Sequence, residues 1–192
     1  MNLLRHTLSY LLFVTLMSTS SVLSTKAYAG NILAKEYYVK AAFLYNFARL
    51  IEWPTTAFPT ETSPFHLCFI GKEPFDSALR SIRNKKINGR SLIIHRGIFS
   101  DHASKCQILF ISQSEKNNIP HILSILNHAP VLTVSELPGF AEQQGHIRLF
   151  LSNDEKIKLE INHDAINKAG LKISSRILTL AKIVSTREPV TP

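Results

Sequence analysis

The sequence predicts an α/β fold, and three observations lead to this prediction. Short, nearly continuous apolar runs, typical of strands buried on both faces, alternate with segments whose apolar residues recur every three or four positions. Parallel neighbouring strands need such helical crossovers, so the alternation favours a parallel sheet. Residues 147–151 and 156–161 flank a polar turn and predict a hairpin. The predicted architecture is a single-domain Rossmann-like sandwich, with a mainly parallel sheet, an antiparallel C-terminal hairpin and flanking helices.

Residues 1–29 have the pattern of a secretory signal peptide. Arg5 precedes an apolar run, and small polar residues then lead to Ala27-Tyr28-Ala29, an A-x-A cleavage site. Cleavage between Ala29 and Gly30 predicts a periplasmic protein that works without cytosolic ATP or NAD. An uncleaved N-terminal anchor is the alternative, although the apolar run is shorter than the roughly 20 residues of a membrane span.

The predicted mature chain, residues 30–192, has the length of one domain, with a loose tail over about 187–192. The whole chain carries a net charge of +8, and its only dense basic cluster is residues 83–90. Such a cluster is typical of a solvated helix end and turn. No aromatic residues that could stack on bases are interleaved with it, so a nucleic-acid partner is not expected.

The two cysteines, Cys68 and Cys106, both lie in the predicted mature chain. An even count in an oxidising compartment favours a disulfide, and Cys68 lies within one predicted strand while Cys106 lies at the start of another. Closing the loop between them would stabilise the fold by about 3 to 4 kcal/mol on the chain-entropy model. Two buried thiols that act as small apolar side chains are the alternative.

The first element is a helix predicted over residues 33–52, which contain neither Gly nor Pro. Its predicted apolar face consists of Val39, Phe43, Phe47 and Leu50, with Lys40 on another face. Because a residue before proline is pushed away from helical geometry, Trp53-Pro54 ends this helix.

The middle of the chain alternates strands and helices. Strands are predicted over residues 65–70, 92–95, 107–111 and 131–134, and helices over residues 74–83 and 114–128. After the hairpin, Asn162 is suited to cap a short helix that ends at Gly170. Ser174 or Ser175 can then cap a final helix, with Ala181 and Val184 on its apolar face.

Sequence motifs for catalysis or cofactor binding are missing. Gly71 follows the first strand but lacks the other glycines of G-x-G-x-x-G, and no G-x-S-x-G elbow is present. No H-E-x-x-H or paired C-x-x-C occurs, and His121 and His128, two helical turns apart, are too distant to chelate one ion. Without these motifs, the sequence predicts no nucleotide, serine-hydrolase or metal site, and no cofactor is expected.

Two outer segments resemble the YfiR family of periplasmic regulators. One is Lys40-Ala41-Ala42-Phe43-Leu44-Tyr45-Asn46-Phe47 running to Trp53-Pro54, and the other comprises residues 160–162, Ala165, residues 169–175 and residues 178–181. The resemblance implies a non-catalytic protein that binds the periplasmic sensor region of an inner-membrane diguanylate cyclase and holds it inactive. This would lower cyclic di-GMP and biofilm formation, and an outer-membrane OmpA-like lipoprotein could sequester the repressor.

One departure from the family limits what the resemblance implies. Several members carry a second cysteine pair around the strand that follows the glycine matching Gly145, and this chain has none there. A redox response could therefore run only through Cys68 and Cys106.

A repressor must bind one conformation of its target more tightly than the other. We expect the hairpin and the loop before the last helix to supply the contact surface, with candidate residues Phe150, Glu160, Ile166, Leu171 and Arg176. A buried structural role is the alternative for Phe150, Ile166 and Leu171. A small-ligand binding protein that uses the crevice at the carboxyl ends of the strands is the second function considered, and an exported enzyme the third. Dimerisation is a possibility that composition does not decide.

Overall fold

The computed structural model describes residues 34–187. The chain divides into two compact units, Met1–Glu36 and Tyr37–Pro192, and the fold below is that of the second. The predicted signal peptide, its cleavage site at Ala29 and Gly30, and residues 188–192 of the predicted tail lie outside the described residues. Within residues 34–187, no helix combines the length and hydropathy that a membrane crossing requires.

The main sheet of the described residues consists of eight strands, which are β2 Phe65–Ile70, β3 Lys86–Ile87, β4 Arg90–Arg96, β5 Ile108–Ile111, β6 Leu132–Ser135, β7 Ile147–Leu151, β8 Ile157–Ile161 and β10 Ala181–Ile183. Their order across the sheet is β10-β8-β7-β6-β5-β2-β4-β3. All neighbours are parallel except β7 with β8 and β4 with β3. The predicted α/β class, the mainly parallel sheet and the C-terminal hairpin are confirmed.

A second, two-stranded sheet pairs β1 Ile51–Glu52 with β9 Lys172–Ile173 in antiparallel register. The α-helices of the described residues are α1 over 34–50, α2 Asp76–Arg80, α3 Ile119–Ile125, α4 His163–Lys168 and α5 Ser175–Leu178. As expected, the Asn162 side chain caps α4 by accepting from the Ala165 amide, and Gly170 follows the helix with φ +72°.

Each face of the main sheet has its own apolar cluster. On the first face, Leu67, Phe110 and Leu149 pack with the buried side of α1. On the second face, Cys68, Ile70, Leu109 and Ile111 pack against α3 through Ile119 and Ile122. Because strand side chains alternate, β2 and β5 contribute to both clusters, which explains their continuous apolar sequences.

The Cys68–Cys106 disulfide lies on the second face, with both residues buried. It joins β2 to the turn that leads into β5, across a Cα–Cα distance of 6.0 Å. The predicted bridge is therefore present, and it links two adjacent strands of the sheet centre.

The buried stripe of α1 is rotated from the predicted one. Val39 is exposed, whereas the buried residues are Tyr37, Lys40, Ala41, Leu44, Phe47 and Ala48. These residues follow the same three-and-four spacing, but they include a charged residue, Lys40, that the prediction placed on another face. Lysine is rarely buried unless it is paired, and here Glu136 pairs with Lys40 and allows its burial.

The predicted final helix begins as expected, with the Ser174 side chain accepting from the Arg176 amide, but its predicted extent to Val184 is wrong. The chain forms only the four-residue α5 and then enters β10, which extends the sheet parallel to β8. The Val184 amide donates to the carbonyl of Ile161 at 2.9 Å. Without β10, the backbone groups on the outer edge of β8 would have no strand partner. The hydrogen bonds gained there favour the extended conformation over a helix, for which these β-branched residues have a low propensity.

The basic segment 83–90, expected to be a helix end and turn, also holds a β-hairpin. Strands β3 and β4 pair Ile87 with Arg90 around Asn88 and Gly89, which both have positive φ. This is the two-residue Asn-Gly turn that best matches the twist of paired strands. The Asn88-Gly89 dipeptide is the feature of the sequence from which this hairpin could have been predicted.

Removing the disulfide tests its energetic role. We expect the Cys68→Ala/Cys106→Ala variant to lose about 3 to 4 kcal/mol of unfolding free energy, because the unfolded chain regains loop entropy. Urea unfolding measures this loss, with thiol-reduced wild type as the matched control. A loss below about 1 kcal/mol in both proteins would contradict the prediction.

Candidate functional site

The apolar cluster on the second face of the sheet ends before the C-terminal hairpin. The strand residues in its apolar cluster come from β2 and β5, and none of the cluster residues identified within 34–187 comes from β7, β8 or β10. Ile147, Leu149, Leu159 and Ile161 belong to the first-face cluster. Strand alternation therefore turns Arg148, Phe150 and Glu160 to the second face. We call the surface formed by Arg148, Phe150, Glu160 and Lys182 the outer face.

The outer face is organised by a row of charges across three strands. Arg148 of β7 lies opposite Glu160 of β8, which lies beside Lys182 of β10. Arg148 Nη1 is 2.9 Å from Glu160 Oε2, and Lys182 Nζ is 3.7 Å from Glu160 Oε1. The Glu160 side chain is only 15% exposed, so it is a partly desolvated carboxylate shared by two cations.

Phe150 is the aromatic part of the outer face. The Arg148 guanidinium carbon lies 3.8 Å from the centroid of the Phe150 ring. Phe150 is half-buried, yet it belongs to neither apolar cluster of the fold. A planar cation stacked on an aromatic ring gives a preorganised surface with apolar and charged parts.

The structure separates the five predicted contact residues. Phe150 and Glu160 lie together on the outer face, but Ile166 and Leu171 are 0% and 1% exposed in the first-face cluster. These two side chains cannot form a contact surface in this fold, so the structural alternative is correct for them. Arg176 is exposed on α5, whose Ile177 packs into the first-face cluster, and it therefore belongs to the opposite layer.

A buried ion pair lies next to the outer face. Lys40 of α1, 1% exposed, forms a salt bridge with Glu136, which directly follows β6. The Tyr37 hydroxyl donates to Glu136 Oε2 at 3.2 Å, and Lys40 Nζ lies 4.7 Å from the Tyr37 ring centroid. Arg148 Nε donates to the Glu136 carbonyl at 3.4 Å. The pair thus joins the N-terminal helix to the end of β6 beside the charge row.

His146 is a second buried polar residue at the start of β7. The Thr133 amide donates to His146 Nδ1 at 3.1 Å, and the His146 amide donates to Thr133 Oγ1 at 3.0 Å. Burial lowers the pKa of His146 to about 4, partly offset by a hydrogen bond to the Ala165 backbone. Since Nδ1 accepts, the ring is neutral and serves as a structural connection between β6 and β7.

Part of the crevice predicted for a small ligand is occupied by the chain itself. At the carboxyl ends of β2 and β5, Ser112 Oγ donates to the Lys72 carbonyl, and the Lys72 amide donates to Ser114 Oγ at 2.9 Å. A Cβ at Gly71 would lie 2.5 Å from Ser114 Oγ, so the side chain fills the space where a phosphate would approach. A cleft of about 440 Å³ remains between Gly71, Gly97 and Glu115.

Another cleft with mainly apolar walls lies over the disulfide. Its volume is about 590 Å³, and its walls include Ala57, Pro64, Ile98 and Lys105 with both cysteines. Three histidines also line it, namely His66, His95 and His102. Across residues 34–187, no group of three or more His, Cys, Asp or Glu side chains is arranged to hold a metal ion.

Comparison with known proteins shows the family of this chain. The model of the YfiR/HmsC-like family matches residues 37–182, most of the chain, so the protein belongs to that family. The expected resemblance is therefore confirmed. The family consists of periplasmic regulators of cyclic di-GMP signalling, and it is regulatory rather than catalytic.

Among solved structures, the chain is similar to a conserved domain protein from Vibrio cholerae O1 biovar El Tor, with 13% sequence identity and a TM-score of 0.45. The similarity covers 67% of this chain and 56% of the Vibrio protein, so this chain spans little more than half the length of that relative. No curated protein shows significant sequence similarity to the chain.

The His146 environment predicts a pH-dependent stability. The folded-state pKa of about 4 is lower than the ordinary value of 6.5, so the unfolded chain takes up the proton first as the pH falls. The buried His146 therefore contributes fully to the free energy of unfolding above about pH 6.5. About 3 kcal/mol of this free energy is lost as the pH falls from 6.5 to 4. Urea unfolding across this range should show this loss in wild type and not in His146→Asn. Equal pH slopes in the two proteins would contradict it.

The Lys40–Glu136 pair predicts strong coupling between α1 and the end of β6. We expect Lys40→Met to cost about 3 kcal/mol of unfolding free energy, because it leaves the Glu136 carboxylate largely buried without its cation. The double variant Lys40→Met/Glu136→Met should recover most of this loss. A double-mutant cycle of unfolding free energies measures the coupling, and additive effects of the two substitutions would show that the pair is not coupled.

Proposed function

We propose that this protein is a periplasmic repressor that binds the sensor region of an inner-membrane diguanylate cyclase through its outer face. Binding would hold the cyclase inactive and so lower cyclic di-GMP and biofilm formation. Membership of the YfiR/HmsC-like family supports the regulatory role. The observation that carries the choice of surface is the Arg148–Glu160–Lys182 row with Phe150 stacked on it.

The outer face has the composition of a recognition surface. Arg and aromatic residues dominate the binding energy of many protein interfaces, and here Arg148 and Phe150 are already stacked in one geometry. Such preorganisation lowers the entropy lost on binding. Two cations share the one Glu160 carboxylate, and the Lys182 side chain remains 70% exposed, which suits a partner that presents acidic groups.

Repression also requires that the partner be recognised in one state. A ligand shifts a conformational equilibrium only by its difference in affinity for the two states. Strands fix the backbone positions of Arg148, Glu160 and Lys182, so this surface cannot easily follow a change of shape in the sensor region. A rigid surface of this kind favours one sensor conformation, as a repressor must.

The proposal predicts a specific loss of inhibition. We expect Phe150→Ala and Glu160→Lys each to raise the concentration needed for half-inhibition of the cyclase at least tenfold, because an anchoring ring or the shared carboxylate is lost. The cyclase is first recovered from detergent-solubilised membranes of the host by pull-down, and its activity is then titrated with each variant.

The matched control is Arg176→Glu, an exposed change in the opposite layer, which should inhibit like wild type. Circular dichroism and thermal melting establish that each variant is folded. If the pull-down recovers no diguanylate cyclase, the proposed partner is wrong. Equal inhibition by Phe150→Ala, Glu160→Lys and wild type would reject the outer face as its binding surface.

Two further partners belong to the same proposal. An outer-membrane OmpA-like lipoprotein would compete with the cyclase for the repressor, and self-association would present two outer faces at once. The pull-down reports the lipoprotein, and sedimentation of the purified protein reports its oligomeric state.

A further inference from the structure

The pair His66 and His95 lies on the second face, away from the outer face. His66 is the second residue of β2, and His95 lies near the end of β4, which pairs with β2 in parallel register. Cys68 is the register partner of His95, and His66 lies two residues before Cys68. The two histidines are therefore diagonal neighbours on one side of the sheet, within reach of each other.

The two imidazole rings meet through their nitrogens. His66 Nδ1 lies 2.8 Å from His95 Nε2, and the ring centroids are 5.0 Å apart. Desolvation, and secondarily the neighbouring His95, lower the pKa of His66. One of the two facing nitrogens must accept the hydrogen bond between the rings, and a nitrogen with a free lone pair is the form that binds metals.

The spacing of these nitrogens fits a particular coordination geometry. In the metal-free pair, the 2.8 Å separation is the length of the hydrogen bond between the rings. It also equals the spacing of two imidazole nitrogens about 2.0 Å from a metal at adjacent corners of a square, whereas those at two corners of a tetrahedron lie about 3.3 Å apart. Square-planar or tetragonal coordination by nitrogen and oxygen is typical of divalent copper. We propose that His66 and His95 form a binding site for a Cu²⁺ ion, completed by water in the cleft over the disulfide.

The surroundings hold the two ligands in place. The His66 amide donates to Gln107 Oε1 at 2.7 Å, and the Gln107 amide donates to the His66 carbonyl at 3.0 Å. The disulfide ties β2 to the chain next to Gln107. A cleft of about 590 Å³ gives the ion access and leaves room for water ligands. His66 thus lies on a strand anchored by the disulfide, and His95 is held beside it by the pairing of β4 with β2.

Binding replaces the hydrogen bond between the two rings. In the metal-free pair, one of the facing nitrogens carries a hydrogen and donates to the other. Cu²⁺ needs a lone pair on both, so the donor ring changes to its other tautomer, with its hydrogen on the remaining nitrogen. Both rings stay neutral, and no oxidation or reduction takes place.

Copper titration of the purified full chain without a histidine tag tests the site. We expect one equivalent of Cu²⁺, with an electron paramagnetic resonance spectrum that shows coupling to two nitrogens. His66→Gln and His95→Gln should each weaken binding at least tenfold. Ni²⁺ and Zn²⁺ should bind more weakly than Cu²⁺, following the usual affinity order of divalent metals.

The control is His121→Gln, an exposed change on α3 outside the cleft, which should bind copper within twofold of wild type. A second measurement is thermal unfolding, in which Cu²⁺ should raise the melting temperature of wild type and His121→Gln but not of the two cleft variants. The site is rejected if the cleft variants bind copper like wild type, or if wild type binds no equivalent with two-nitrogen coupling.

Discussion

The requirement that a parallel strand be covered on both faces determines how this molecule is arranged. Strands β2 and β5 meet it fully, because the α1 layer packs on one face and α3 on the other. The antiparallel pair β7 and β8 does not need it, since such strands can keep one face polar. The apolar cluster with α3 ends before β7, so the second face is open from Arg148 outward, and Lys182 of the parallel edge strand β10 is exposed there too.

Buried polar groups fix the boundary between these two parts of the sheet. Glu136 follows β6, the parallel neighbour of β7, and its carboxylate binds Lys40 while its carbonyl accepts from Arg148. Removing one member of a buried ion pair is strongly destabilising, whereas the intact pair is often no more stable than apolar residues packed in its place. Lys40 and Glu136 are therefore better explained by the specific placement of α1 against β6 than by net stability.

Much of the fold could be predicted from the sequence, because strands buried on both faces have continuous apolar runs and the hairpin alternates polar and apolar residues. The disulfide followed from an even cysteine count. The positions of Lys40 and β10 could not be predicted in this way. Lys40 is buried because Glu136, distant in sequence, neutralises it, and β10 is extended because β8 offers an unpaired edge. Both depend on tertiary partners that no local pattern reveals.

The candidate site was predicted less completely, for a related reason. Phe150 and Glu160 lie on strands, where a period of two assigns each residue to a face, and they do share the outer face. Ile166, Leu171 and Arg176 lie in the crossover from β8 to β10. The face that a crossover covers depends on where its second strand joins the sheet, and that strand had been predicted as a helix. Ile166 and Leu171 pack into the first-face cluster and Arg176 is exposed in the opposite layer, and the alternation of strand residues could indicate neither.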